Sequence, residues 1–245
     1  MKKRFLIACL SVVIILSNLY QTIAAPVGRS NSGREYLAGT QDLSAWSAGL
    51  YIMSIDRKVE LFNTFQNTSM KQDMIMGYVG YDVIPWITAY VVGGSSKNRI
   101  GSGDVQKDSK PEIGLGLMFN FLDTEIEDPT LLEDRLRLNA NIQYTKGGGT
   151  SVNSGSSDVD WYDLSGSLTL SLVNDLTGDK FFVPSSIAFF IGPTFSILSS
   201  SQIEAEDEFG LTAGLDIFLN EKVSIELAYL KYEESTYSAG INVRF

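Results

Sequence analysis

From Thr236 to Phe245 the chain reads T-Y-S-A-G-I-N-V-R-F, so that Tyr237, Ala239, Ile241, Val243 and Phe245 alternate with Ser238, Gly240, Asn242 and Arg244. A period of two puts successive side chains on opposite faces of a β-strand, one face apolar and one polar. The pattern recurs upstream. Val223, Ile225, Leu227 and Tyr229 oppose Ser224, Glu226 and Ala228, and Phe209, Leu211, Ala213, Leu215 and Ile217 oppose Gly210, Thr212, Gly214 and Asp216. Ile187, Phe189 and Ile191 oppose Ser186, Ala188 and Gly192, while Leu168, Leu170 and Leu172 oppose Ser167, Thr169 and Ser171. The cleanest rows are Leu136, Leu138, Ala140, Ile142 and Tyr144 against Arg135, Arg137, Asn139, Asn141 and Gln143, and Ile113, Leu115, Leu117 and Phe119 against Glu112, Gly114 and Gly116. Three further candidates, about 45–57, 72–82 and 86–94, are apolar on both faces and cannot be oriented from sequence. Together these predict ten strands, with eight as the alternative.

Alternation alone also fits a soluble sandwich or lipocalin-like barrel with its apolar face inward. The polar rows decide between them. They carry Arg135, Arg137, Asp163, Asp216, Glu112, Glu226 and Arg244 among Ser, Thr, Asn and Gly, while the apolar rows end in Tyr or Trp, as suits a bilayer interface. Lipid offers no hydrogen-bond partner, so a sheet that faces it must close on itself.

Lys2, Lys3 and Arg4 precede an apolar run from Phe5 to about Leu19, and Thr22-Ile23-Ala24 offers small residues for cleavage. Residues 1–24 are therefore expected to be a signal peptide; a membrane helix would need roughly 20 apolar residues, and Ser11, Ser17 and Asn18 interrupt this run. Loss of 1–24 removes three basic and no acidic residues, taking the formal charge from −10 to −13 and removing Cys9, the one cysteine. Such a chain repels nucleic acid and has no disulfide. Residues 25–43 are polar and without periodicity, a periplasmic lead-in to a barrel over 44–245.

The segment Tyr237, Ala239, Ile241, Val243 and Phe245 resembles the C-terminal strand of bacterial outer-membrane β-barrels, and the pattern over 44–245 is broadly similar to the small OmpX, OmpA-domain and opacity-protein types. The resemblance implies a closed, antiparallel, up-and-down transmembrane barrel in the outer membrane of a Gram-negative-type bacterium. It further implies that those five residues are read by the barrel-assembly machinery and that the barrel is surrounded by outer-membrane lipid. By the family pattern of short inner turns and longer outer loops, the outer connections fall at 58–71, 94–110, 146–159, 199–208 and 231–235. The inner ones fall at 83–85, 122–132, 174–183 and 218–222, of which 122–132 and 174–183 are longer than the pattern expects.

The chain has no histidine, which removes Ser-His and Cys-His nucleophilic dyads, His-ligated zinc and His acid–base work. No catalytic residue, cofactor or metal is predicted. Glu204, Glu206, Asp207 and Glu208 lack the spacing of a calcium loop and read as a solvated acidic segment. Gly147-Gly148-Gly149 and Gly101-Ser102-Gly103 lack the lysine and hydroxyl of a phosphate loop. The inward set Arg135, Arg137, Asp216, Glu226 and Arg244 can form a charge network in a narrow lumen, either packing it or gating it. The expected function is a structural or adhesin-like surface role through the outer loops, toward a ligand the sequence does not name. A narrow, porin-like passive pore for ions or small solutes is the alternative.

Overall fold

The computed structural model describes residues 44–62, 66–84, 86–101, 109–126, 134–150, 159–175, 186–220 and 222–245. The expected signal peptide, lead-in, Pro85 and Cys9 lie outside them. The described residues form β1 (Trp46–Leu61), β2 (Gln66–Ile84), β3 (Ile87–Ile100), β4 (Lys110–Ile126), β5 (Asp134–Thr150), β6 (Val159–Asp175), β7 (Ser186–Ser200), β8 (Ile203–Ala205), β9 (Phe209–Asn220), β10 (Val223–Lys231) and β11 (Ser235–Arg244). Ten of these are long and antiparallel to their neighbours, and β11 pairs with β1 from Ser47↔Arg244 to Ser54↔Tyr237. The sheet is thereby a closed ten-stranded barrel, with β8 as an eleventh, three-residue strand. The expected count of ten holds, and closure gives each long strand a neighbour on both sides.

The strands are longer than the alternation predicted. Residues 58–61 and 66–69, expected in an outer loop, pair with one another from Lys58↔Ser69 to Leu61↔Gln66. Similarly β3 continues six residues past Gly94 to Ile100, and β4 continues through the expected inner connection to Ile126. A shift of register between Asn120 and Leu122 lets β4 do so: both Phe121 and Leu122 face outward, and Asp123 beyond them turns inward. A bulge thus changes the face on which the following residues fall.

The exterior has an apolar belt. Leu50, Ile52, Ile75, Val91, Ile113, Leu115, Leu170, Ile191 and Leu227 are among its exposed residues. At its basal end stand Trp46 and Tyr81, with ring centroids 4.9 Å apart, the stacked pair Phe119 and Phe121, and Phe245. At its distal end stand the pairs Tyr144–Tyr162 and Tyr229–Tyr237. Trp46 and Ser54, the residue opposite Tyr237, are eight positions apart. At about 3.3 Å per residue and a tilt of ~40° that is roughly 20 Å along the barrel axis, close to the ≈ 25 Å band of a membrane barrel. Two aromatic girdles at that separation match the two interfaces of a bilayer.

Beyond the distal girdle the wall inverts. The outward residues of β1 and β2 become Ser54, Asp56, Lys58, Lys71 and Asp73, tied by Ser54 Oγ to Asp73 (2.7 Å) and Lys71 Nζ to Asp56 (2.6 Å). Inward, Val59, Met70, Ile100, Val159, Trp161, Leu198, Ile203 and Ala205 form a buried apolar cluster. The barrel is apolar-out where lipid covers it and apolar-in where water does, each face following its solvent. We call this distal part the dome.

Strands β9 to β11 have 12, 9 and 10 residues and stop short of the dome. β8 crosses above them and takes their place in the wall. It pairs with β1 through Val59↔Ala205, Glu60↔Glu204 and Leu61↔Ile203, and with β7 through Ser199↔Glu204. Phe62 N–H donates to Gln202 O and Glu206 N–H to Lys58 O, each at 3.1 Å. The acidic segment read as a solvated loop is therefore partly wall. Glu206 also accepts from Asn67 Nδ2 at 2.8 Å, because the alternation of Ile203 and Ala205 drives two apolar side chains into the dome and leaves Glu204 and Glu206 outside.

Candidate functional site: the barrel lumen

Four levels stack along the lumen from base to dome. The lowest is ionic. Arg137 and Arg244 are 0% and 1% exposed, and both point inward because they alternate with the apolar residues Leu136, Leu138 and Val243. Asp123, brought inward by the bulge, accepts from Arg135 Nε through Oδ1 at 3.0 Å and pairs with Arg137 Nε through Oδ2 at 3.1 Å. Arg244 forms an ion pair with Asp82 at the base of β2, and Asp82 also accepts from Thr88 Oγ1 at 2.7 Å. Buried charges of this kind persist only when paired and hydrogen-bonded.

All five residues expected in a lumen charge network lie inward, but the arginines take partners that the alternation did not name. Asp82 ends the strand candidate 72–82, which could not be oriented from sequence, and Asp123 sits in the expected connection 122–132. Their signal would have been the arginine excess on the β5 face, which requires carboxylates from elsewhere. Asp216 and Glu226 face each other directly across β9 and β10, and Asp216 is buried.

Above the ionic level the lumen widens into a cavity of about 140 Å³. Its lining is mixed, with all of the thioethers on one side. Strands β1 to β4 contribute Tyr51, Met74, Met76, Tyr78, Tyr90 and Met118. Strands β5 to β7 contribute Asn141, Gln143, Thr145, Ser165, Ser167 and Thr194, and β10 and β11 add Glu226, Thr236 and Ser238. The tyrosines are seated by glycines: Tyr78 lies directly across from Gly49 and Tyr90 from Gly116. A Cβ on Gly49 would stand 2.5 Å from Tyr78 Cε1, and one on Gly116 2.3 Å from Tyr90 Cζ. Each ring fills the space its partner's missing side chain leaves. Tyr78 Oη then donates to Asn242 Oδ1 at 2.8 Å and Tyr90 Oη to Gln143 Oε1 at 3.2 Å.

The third level roofs the cavity. Arg57 donates to Asp163 Oδ2 and to Ser196 Oγ, both at 3.1 Å, and Ser196 Oγ donates to Asp163 at 2.8 Å. Gln72 Nε2 donates to Glu112 Oε1 beside them. The apolar cluster of the dome is the fourth level, with Trp161 lying between it and the cavity. Among the described residues no group of acidic side chains is arranged to hold a metal ion.

The five positions read as an assembly signal sit on the outside of β11 and at its basal end: Tyr237, Ile241 and Phe245 are exposed on the belt, and Ala239 and Val243 are half-buried between neighbouring strands.

No family model matches the sequence, and no curated protein does. Solved structures similar to it include bacterial outer-membrane proteins. The COG4313 outer membrane channel from Pseudomonas putida F1 is 9% identical with a TM-score of 0.43, covering 83% of this chain and 96% of its own. The beta domain of the Bordetella autotransporter BrkA is 12% identical with a TM-score of 0.39, covering 82% and 99%. The outer membrane protease OmpT from Escherichia coli is 11% identical with a TM-score of 0.36, covering 86% and 100%. The chain described here is, on its own strand register and its own two faces, a closed ten-stranded antiparallel β-barrel with an apolar belt outside and buried ion pairs at the base of its lumen.

Proposed function

We propose that this chain is an integral outer-membrane β-barrel with a closed lumen, and that it acts as a structural, adhesin-like platform whose dome meets molecules outside the cell. The observation that carries the reading is the double closure of the lumen. The basal level is filled by Arg137 and Arg244 with Asp123 and Asp82, and the distal level by the apolar cluster around Val59, Trp161 and Ile203. A narrow barrel has room for little more than its own side chains, and here they are drawn inward at both ends.

In this reading residues 1–24 direct export, and the barrel-assembly machinery reads Tyr237, Ala239, Ile241, Val243 and Phe245. The dome points outward, supported by the polar extension of β1 and β2 beyond the distal girdle, whereas at the base the girdle residue Trp46 begins its strand. The exterior of the dome offers Asp56, Lys58, Glu60, Lys71 and Glu204 as a mixed-charge surface. No catalytic step is part of this assignment.

Planar-bilayer recording of the refolded full chain tests the reading. The expected result is a quiet membrane. Reproducible ohmic steps would instead establish the narrow passive pore for ions or small solutes. Heat-modifiable gel migration of the same sample checks that the barrel is intact.

A further inference from the structure

We propose that the lumen cavity is a binding site for a small neutral molecule with an aromatic body and one hydroxyl, a phenol-class ligand. The proposal rests on the closed-lumen reading only for the statement that the cavity is not part of a conducting path.

The cavity is amphipathic in a sense that packing does not require. All four lining thioethers and three of the rings come from β1 to β4, beside Gln72 and Glu112, whereas amides and hydroxyls predominate from β5 to β7, β10 and β11, beside Trp161 and Leu230. Ligand sites have this composition, an apolar surface for the body and a few convergent polar groups that set orientation. The volume of about 140 Å³ is close to the ~150 Å³ that accommodates one benzene ring in an apolar engineered cavity. Met74, Met76 and Met118 give the β1 to β4 side an adaptable, polarisable surface that favours contact with an aromatic ring.

The more polar side supplies an orphan. Thr236 lines the cavity, is 1% exposed, and its Oγ1 has no hydrogen-bond partner among the described residues. A buried hydroxyl without a partner is costly, and a hydroxyl on the guest restores the bond. Gln143 Oε1 already accepts from Tyr90 and has a second lone pair toward the same space.

Charge selects against anions. The carboxylates lining the cavity are Glu112, Asp163 and Glu226, against the single cation Arg57, which is engaged with Asp163. An anion is repelled by this wall. A cation would have to shed its hydration shell beside rings and thioethers, a larger cost than for a neutral donor.

The test uses the full chain refolded in detergent micelles, with 13C-methyl methionine and 4-fluorophenol as the probe. Met53, Met74, Met76 and Met118 line the cavity, while Met70 sits in the dome cluster and serves as the internal reference. Saturable shifts among the four cavity methyls with Met70 unmoved are expected. Thr236→Val should weaken 4-fluorophenol about fivefold, the loss of one neutral hydrogen bond, while leaving fluorobenzene unchanged. Ser165→Phe, which fills the cavity, should abolish the shifts in a barrel that still migrates as folded. Absence of saturable shifts, equal binding by folded Ser165→Phe, or binding of 4-fluorobenzoate or 4-fluorobenzylammonium as tightly as 4-fluorophenol would each overturn the proposal. Conductance is unaffected by any of these outcomes, so the closed-lumen reading fails or stands separately.

Discussion

Tyr78 reaches over Gly49 and donates its hydroxyl to Asn242 at 2.8 Å, so that a residue of β2 crosses β1 and ties down β11. The bond spans the seam where β1 and β11 meet, the closure on which the whole wall depends. Tyr78→Phe removes it and leaves Asn242 with only Ser224 as its other described side-chain contact, at 3.4 Å. The expected loss is about 1 kcal/mol, measured by urea unfolding in micelles. Gly49→Ala should cost more, because a Cβ 2.5 Å from the Tyr78 ring displaces both the ring and its bond. A Gly49→Ala barrel as stable as the parent would show that the ring is free to move.

Asp123 is the shared partner of Arg135 and Arg137, with its side chain 1% exposed. Removing one partner of a buried pair costs about 3–5 kcal/mol, because the remaining charge is left in place. Asp123→Asn leaves two inward arginines without their shared carboxylate and should therefore destabilise the barrel more than Arg137→Met, after which Asp123 keeps Arg135. Comparison of refolding yield and unfolding midpoint for the two variants checks the order, and equal values would count against a shared ionic level.

Two seals in series predict that neither opens the lumen alone. Arg137→Ala should leave a bilayer quiet because the dome cluster still blocks the path. Arg137→Ala combined with Trp161→Ala should produce conductance steps. Steps from Arg137→Ala by itself would show that the dome leaks.

Ile203 is fully buried and fastens β8 into the dome. Ile203→Asp places an unpaired charge among apolar side chains and should release β8 without unfolding the membrane belt. Limited proteolysis between 199 and 208 should accelerate while heat-modifiable migration persists. Loss of both together would mean that dome and belt unfold as one unit.

Lys58 and Glu233 form an ion pair across the dome base with both side chains substantially exposed. Glu233→Gln should change stability by less than about 1 kcal/mol, with the difference vanishing in high salt. A larger effect in urea unfolding would indicate that the pair is shielded by groups above it.

The alternation of Leu136 to Tyr144 and of Ile113 to Phe119 was enough to predict inward arginines and an outward apolar belt, because in the bilayer each strand has one lipid face and one lumen face. The same rule fails for β1, β2 and β3. Ile52 faces lipid and Ile55 faces the lumen, three positions apart on one strand, because the solvent outside changes from lipid to water between them. A strand that crosses that boundary is apolar on both faces when read as a whole, and only the position of the girdles shows where one half ends. Asp123 escaped notice for a different reason, since one extra residue at the bulge moves everything after it to the other face.

By itself, then, the sequence determined the class of fold, favoured ten long strands over eight and put Arg135, Arg137, Asp216, Glu226 and Arg244 on polar strand faces, all of which follow from a local period of two. Tertiary structure alone decided which carboxylates meet those arginines, that β8 completes the wall above β9 to β11, and that a cavity remains between the ionic base and the apolar dome. Those features depend on the register of strands far apart in the chain and on where the barrel leaves the bilayer, and neither quantity is written in the spacing of neighbouring residues.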